Sequence, residues 1–222
     1  MKKLTVVMIA ILTVGLGKTV AQTEQGNVLL GLSTNFSSVG SNSEFMNTSI
    51  SSISYKSDAA GYDEPDPDKT SSINMTPKIG FLIAENFAAG IDLSLSYSSS
   101  KDGEIDFTSS QTLFGVGPFL RYYIPAGAVL PYFEVNSSFG TIKSKYEWNY
   151  DTLTDEEESK TALTSIGGGV GVAVPLGEHA TFDLLAGFNS FTYKEKEDNE
   201  DNERIVIGTL ALKAGFSFYL GN

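Results

Sequence analysis

The sequence predicts an all-β protein, an eight-stranded antiparallel up-and-down transmembrane β-barrel preceded by a signal peptide. Three observations lead to this prediction. Large apolar side chains alternate with small or polar ones along eight stretches of chain, short turns alternate with long polar loops between them, and residues 1–21 resemble a secretory leader. Successive side chains of a strand point to opposite faces. We therefore expect an apolar face against lipid and a small, polar face that is no hydrophobic core.

The leader is the first element. Lys2 and Lys3 precede an apolar run over residues 4–16, and small residues follow up to Ala21. The run is shorter than a spanning helix, which needs about 20 apolar residues, and this pattern is typical of a cleaved signal peptide. We expect a signal peptide at residues 1–21 and a barrel domain at residues 22–222. No long apolar stretch follows residue 21, so the sequence excludes an α-helical membrane protein.

Apolar residues alternate clearly with small or polar ones along the first four predicted strands. From Phe87 onward, Ile91 and Leu93 share one parity, whereas Ser94 and Ser96 share the other. Residues 50–55 alternate only weakly, and we expect them to extend a hairpin above the membrane. The four strands are predicted at residues 27–37, 71–84, 87–98 and 110–124.

The last four strands follow the same rule. They are predicted from residue 129, over residues 164–174, over residues 180–188 and over residues 206–220. Three tight turns, near Glu85, Ala126 and Leu176, alternate with long polar loops that include residues 99–109, 143–161 and 194–203. Outer-membrane barrels have short periplasmic turns, long outer loops and an even number of strands. The pattern therefore places the protein in the outer membrane of a Gram-negative cell.

Aromatic residues of the apolar parity form two groups. Along a strand the groups are separated by roughly 6–10 residues, or on the order of 15–25 Å for a tilted strand, close to the height of an outer-membrane apolar band. We expect the two groups to form the two girdles of the band. The residues near the short turns are Phe81, Phe87, Tyr122, Phe133, Phe182 and Phe218, and those towards the other end are Phe36, Tyr97, Phe114, Phe139 and Phe188.

The inward parity contains three basic and three acidic residues at mid-strand positions. Buried charges are stable only when they are paired and hydrogen-bonded, and an eight-stranded interior is just wide enough for side chains to fill it. We therefore expect one neutral layer that plugs the periplasmic half of the lumen. A gated narrow passage for water or small ions is the alternative. The six residues are Lys78, Asp92, Arg121, Glu134, Asp183 and Lys213.

The composition argues against several other functions. The chain has no cysteine, so disulfides and thiolate metal sites are excluded. Of its 15 basic residues, three lie in the predicted leader, which leaves the mature chain with 27 acidic residues and a formal charge of about −15. Such a charge argues against nucleic acid and against a general anion channel.

Catalysis and cofactor binding find no support. The only histidine, His179, lies in a tight turn, where we expect a solvated residue and not a catalytic base. The glycines of residues 167–171 have neither the following helix nor the lysine of a phosphate-binding loop. The acidic segments, residues 63–68, 155–158 and 195–203, lack calcium-loop spacing. We expect no enzyme activity, no cofactor and no specific metal site.

Three segments resemble the outer-membrane β-barrel domain family, which includes the small OmpA-, OmpX- and Ail-like proteins. They are residues 77–91 (PKIGFLIAENFAAGI), 117–123 (GPFLRYY) and 214–220 (AGFSFYL), and the resemblance covers residues 22–222. It implies an eight-stranded barrel that the outer-membrane assembly machinery inserts. Members of this family are often described as porin-like.

The sequence thus predicts a non-enzymatic outer-membrane barrel, expected to be a monomer, that contributes to envelope structure. We expect it to contact outer-membrane lipid and lipopolysaccharide, and its acidic loops to contact an extracellular ligand, as in adhesion. One alternative is a small porin-like channel. Another is a soluble lipocalin-like carrier, whose apolar parity would point inward and whose exterior would be polar.

Overall fold

The computed structural model describes residues 21–39, 47–56, 66–103, 107–150, 153–196 and 201–221. Residues 1–20 of the predicted leader, and Asp63 and Glu64 of the first acidic segment, lie outside these ranges. Within these ranges, a short 3₁₀ turn, Ala21–Thr23, precedes nine strands. They are β1 (Val28–Val39), β2 (Ser49–Ile53), β3 (Asp68–Ala84), β4 (Phe87–Lys101), β5 (Phe107–Tyr123), β6 (Leu130–Tyr150), β7 (Leu153–Pro175), β8 (Ala180–Glu195) and β9 (Ile205–Leu220).

Eight of the strands close into an antiparallel barrel, which confirms the predicted fold class. From β3 to β9 each strand pairs with its neighbours in the chain, and β1 closes the ring by pairing with β9 on one side and with β3 on the other. Closure leaves no free sheet edge within the barrel. The additional strand, β2, pairs with the start of β3 beyond the level at which β1 leaves it. It coincides with the weakly alternating segment predicted to extend a hairpin.

The two faces of the wall differ as the alternation predicts. Along β3 the side chains are alternately buried and exposed, and the exposed ones include Ile79 and Phe81. On β4, Ile91 is exposed whereas the adjacent Asp92 is buried. The apolar parity therefore lies on the outside. The part of the chain that the structure describes contains no helix with the length and hydropathy of a membrane span.

The strands extend further than the sequence predicts. Residues 143–161 were expected to form a loop, but β6 and β7 pair throughout this region, as far as Tyr150 and Leu153. Likewise, β4 continues to Lys101 and β8 to Glu195. The hydropathy pattern does not mark these ends because both faces of the extension are in water. The ladder is instead held by backbone hydrogen bonds and cross-strand pairs such as Lys145 with Glu156.

The expectation of a small, polar interior without a hydrophobic core is wrong. Near the short turns, the lumen contains a cluster of nine buried apolar and aromatic residues, and a smaller cluster lies near the opposite end. A narrow barrel is filled by side chains, and bulky ones fill it best. The larger cluster comprises Leu29, Leu82, Ala88, Phe119, Tyr123, Leu130, Tyr132, Ala173 and Tyr219; the smaller comprises Leu113, Ile142 and Leu163.

Candidate functional site

The candidate site is a layer of charged side chains in contact with the larger apolar cluster. Lys78 lies on β3, Arg121 on β5, Glu134 on β6 and Asp183 on β8, so four strands contribute to it. Arg121 and Glu134 are direct cross-strand partners, whereas the other contacts cross the lumen. All four side chains are buried. We call these four residues the luminal charge network.

Glu134 accepts hydrogen bonds from both basic residues of the network. Lys78 Nζ lies 2.8 Å from each carboxylate oxygen of Glu134. Arg121 donates to Glu134 Oε2 from Nε at 2.7 Å, and its second terminal nitrogen lies 2.6 Å from the same oxygen. One carboxylate is thus shared by two cations, and charge-assisted bonds of this length are among the stronger ones in proteins.

Asp183 completes the charge balance on the other side of Arg121. Arg121 Nη1 donates to Asp183 Oδ2 at 2.6 Å. Ser217 donates to the same oxygen at 2.7 Å, and Thr181 donates to Oδ1 at 2.6 Å. Both carboxylate oxygens are therefore hydrogen-bonded. With two cations and two anions, the network is formally neutral, which is the condition under which buried charges persist.

Aromatic rings of the larger apolar cluster contact the two cations of the network. The Arg121 guanidinium carbon lies 4.2 Å from the centroid of the Tyr132 ring, and Lys78 Nζ lies 4.7 Å from that of Phe119. Arg121 Nη1 also donates to the Tyr123 hydroxyl at 3.0 Å, and that hydroxyl lies 2.8 Å from the Tyr219 hydroxyl. Ring faces attract cations, so these contacts stabilise the layer further.

Asp92 and Lys213 lie beside the network. Asp92 is buried and pairs with Lys78 across the β3–β4 ladder. Lys213 is half-buried and lines the same interior cavity as Lys78, Arg121, Glu134 and Asp183. The structure thus brings four of the six predicted residues into direct contact and places the other two next to them.

The space remaining in this layer is small. The cavity between the charged side chains and the β1–β9 wall has a volume of about 10 Å³. A cavity needs roughly 10–15 Å³ to hold a water molecule. This cavity therefore has room for about one water.

The predicted girdle residues all lie on the outward face. Nine of the eleven are exposed, and Phe87 and Phe182 are half-buried. Phe182 packs against Phe216, with ring centroids 5.4 Å apart. Their role as girdles remains a proposal. The exposed ones are Phe36, Phe81, Tyr97, Phe114, Tyr122, Phe133, Phe139, Phe188 and Phe218.

Sequence reasoning missed four contributors to the site, namely Phe119, Thr181, Ser217 and Tyr219. All four occupy inward positions, so parity alone could have placed them in the lumen. A further signal was available for Phe119, whose ring lies against Gly80 and Gly90, where any side chain would collide with it. Inward glycines beside a bulky inward residue indicate such a close approach.

His179 is exposed in the turn between β7 and β8. Within the described residues, no three histidine or acidic side chains lie close enough together to hold a metal ion.

Comparison with known proteins identifies relatives of this barrel. The sequence pattern of the family described as "Outer membrane protein beta-barrel domain" matches residues 6–218. A major outer membrane protein from Thermus thermophilus is 11% identical over 88% of this chain and 99% of its own, with a TM-score of 0.50. This likeness supports the fold alone.

Two further solved structures show lower structural similarity. The outer membrane protein OprG from Pseudomonas aeruginosa is 11% identical over 91% of this chain and 100% of its own, with a TM-score of 0.44. Ail, the attachment invasion locus protein of Yersinia pestis, is 16% identical over 87% and 99%, with a TM-score of 0.35. No curated protein sequence matches the chain.

Proposed function

This chain belongs to the outer membrane protein beta-barrel domain family, and we propose that it is a non-enzymatic structural barrel. In this proposal the luminal charge network closes the lumen, and the strand extensions with their acidic segments contact ligands at the cell surface. The neutral, fully hydrogen-bonded network is the observation that carries the proposal.

Membership confirms the predicted family and the outer-membrane location. The alternative of a soluble lipocalin-like carrier is wrong. Its apolar parity would point inward, whereas Ile79, Ile91 and Phe133 of this barrel are each about half exposed on the outside. An apolar exterior of this extent is stable in lipid and not in water.

The proposal also specifies what contacts the barrel and how the barrel is oriented in the membrane. Outer-membrane lipid and lipopolysaccharide contact the apolar exterior, and the assembly machinery inserts the chain. We propose a monomer because every barrel strand already pairs on both sides, so the described barrel wall offers no edge to a second copy. Short turns lie on the periplasmic side in this class, which directs the extensions of β6 and β7 outward.

A small porin-like channel is the second candidate, and one observation favours it. Lys78 and Arg121 share the carboxylate of Glu134, so either cation could keep the bond while the other moves away. Such an exchange would open a narrow passage for water or small ions. Against it, a permanent cation or anion pore would more commonly be lined by a ring of charges of one sign.

Planar-bilayer recording separates the two candidates. We expect wild-type protein to show no conductance steps, because the cavity in the charged layer has room for only about one water. The Arg121→Ala variant, which removes the central cation, is recorded in parallel. Heat-modifiable gel mobility verifies that both proteins are folded and inserted. A recording without conductance steps is then not mistaken for a lack of protein in the bilayer.

Discrete steps in the wild-type recording would contradict the closed-lumen proposal. Steps in Arg121→Ala alone would support it, because removal of one network member would then be required to open the barrel. A lack of conductance steps in both recordings would also support a closed lumen. It would exclude exchange of ion pairs at Arg121 as a gate.

A further inference from the structure

The extracellular extension has an aromatic surface on its inward face. Phe107 on β5 lies opposite Trp148 on β6, with ring centroids 5.4 Å apart. Tyr146 stacks on Phe107 at 6.4 Å and 10° and lies 6.2 Å from Trp148. All three rings are partly exposed. We call these three residues the aromatic strip.

The strip faces the mouth of the barrel. The β5–β6 and β6–β7 ladders continue without a bulge from the membrane level to the tip, so inward parity is kept throughout. On this parity, the strip lies above the buried residues Leu113 and Ile142. Further along the wall, Phe191 and Tyr193 pack against the same cluster. The inner wall of β5–β8 therefore presents aromatic rings up to the tip, interspersed with polar residues such as Gln111 and Ser144.

The opposite wall is polar and small. The inward positions of β3 and β4 at this level are occupied by serine, threonine and asparagine, including Ser72, Asn74, Ser96 and Ser98. The mouth thus has one aromatic wall and one wall of hydroxyl and amide groups, which is a common composition for a small-molecule site.

The charges that face the mouth are acidic. Glu157 lies opposite Tyr146 on the β6–β7 ladder, and Asp68 and Glu195 also occupy inward positions. Among the described strand residues beyond Leu113, no lysine or arginine has inward parity.

The lysines on the described strands of the extension have outward parity, and Lys145 is engaged there. Lys145 Nζ lies 2.5 Å from Glu147 Oε1 and 3.3 Å from Glu156 Oε2. Hydrogen bonds to these two carboxylates raise the pKa of Lys145, so it stays charged on the outer face. Cationic groups are thus separated from the inner face, which presents carboxylates and aromatic ring faces to solution.

We propose that this mouth binds small organic cations, with the ammonium group over the aromatic strip and near Glu157. Ring faces and carboxylates both attract a cation, and quaternary ammonium groups are typical ligands of aromatic cages. The proposal rests on the surface role proposed above and specifies its ligand class. The competing explanation is that the strip only stabilises the β5–β6–β7 hairpins by cross-strand packing.

Trp148 is the only tryptophan of the chain, so its fluorescence reports on the site alone. Folded full-length protein in detergent is titrated with choline at constant ionic strength. The neutral isostere 3,3-dimethylbutan-1-ol is titrated in parallel. We expect a saturable change in emission with choline and binding of the isostere that is weaker by about tenfold, or about 1.4 kcal/mol, because the neutral compound loses both the cation–π contact and the attraction to Glu157.

Two variants that retain Trp148 test the assignment. Tyr146→Leu and Glu157→Gln are each expected to weaken choline binding by about two- to fivefold. The matched controls are Tyr97→Leu, a tyrosine on the lipid-facing side, and Glu158→Gln, the adjacent carboxylate of outward parity. Both controls are expected to bind choline as the wild type does. Heat-modifiable mobility confirms that each variant is folded.

Three results would overturn the inference. They are equal affinities for choline and its isostere, no saturable change of Trp148 emission with choline, and equal losses of choline affinity in Glu157→Gln and Glu158→Gln. None of them would affect the closed-lumen proposal, because that proposal is judged by conductance. Conversely, a conducting wild type would overturn the closed lumen and leave the fluorescence result unchanged.

Discussion

Replacing Glu134 with alanine is expected to destabilise the folded barrel by about 3–5 kcal/mol. Lys78 and Arg121 both donate to this carboxylate, and Glu134 is 3% exposed. Its removal leaves two buried cations with one fewer anion, and breaking a buried pair costs more than the pair itself contributes. The measurement is urea unfolding in lipid vesicles, followed by the loss of the compact band on an unheated gel.

A matched control distinguishes the loss of the buried Glu134 carboxylate from the loss of an exposed carboxylate. Glu158 lies on the outward parity of the extension and is exposed, so Glu158→Ala is expected to leave the free energy of unfolding within about 0.5 kcal/mol of wild type. Equal stabilities of Glu134→Ala and Glu158→Ala would show that the network does not hold the barrel together.

Replacing Ile91 with arginine is expected to cost about 2–4 kcal/mol, as for other arginines placed near the middle of a lipid-facing barrel wall. Ile91 is 51% exposed and lies between the aromatic positions Phe87 and Tyr97 on β4. Its neighbours across the ladder are Ile79 and Pro118, so no acidic side chain is opposite it. The same vesicle unfolding assay gives the cost.

Ile50 provides the control for that prediction. It is 91% exposed, more than Ile91, but it lies on β2, outside the barrel wall. If the solvent around Ile91 is lipid and the solvent around Ile50 is water, Ile50→Arg has almost no effect on the free energy of unfolding. Similar effects of the two substitutions would mean that both side chains face the same solvent.

Alternation was sufficient to predict the barrel but not the ends of its strands. In the membrane, one side of the wall faces lipid and the other faces a packed lumen. Successive residues therefore alternate between apolar side chains outside and other side chains inside, as at Ile91 and Asp92. Beyond the membrane, this contrast disappears. The paired stretch around Lys145 and Glu158 was therefore predicted as a loop, although its backbone ladder is continuous.

The inward position of the charges could be predicted from parity, whereas their partners could not. Only Arg121 and Glu134 are adjacent on the ladder. The contacts of Lys78 with Glu134 and of Arg121 with Asp183 span the lumen and depend on the barrel's cross-section. The apolar filling around Phe119 could not be predicted, because its contacts with Gly80 and Gly90 depend on the register between strands, which alternation along one strand does not give.

Spin labelling of β4 and β6 tests the central claim, that the apolar parity faces lipid and the other parity a packed lumen. The chain has no cysteine, so a single introduced cysteine carries the only label. The positions are Ile91 and Val135, which are exposed outward, and Ser96 and Ser138, which are buried inward. Collision of each nitroxide with oxygen and with an aqueous nickel chelate is measured in lipid vesicles.

The account predicts strong oxygen and weak nickel collisions at positions 91 and 135, because oxygen concentrates in lipid. At positions 96 and 138, it predicts weak collisions with both reagents, because the lumen is filled by side chains. Strong nickel collisions at positions 96 and 138 would reveal an open aqueous channel, and strong nickel collisions at positions 91 and 135 would place the apolar face in water. Either result would contradict the account.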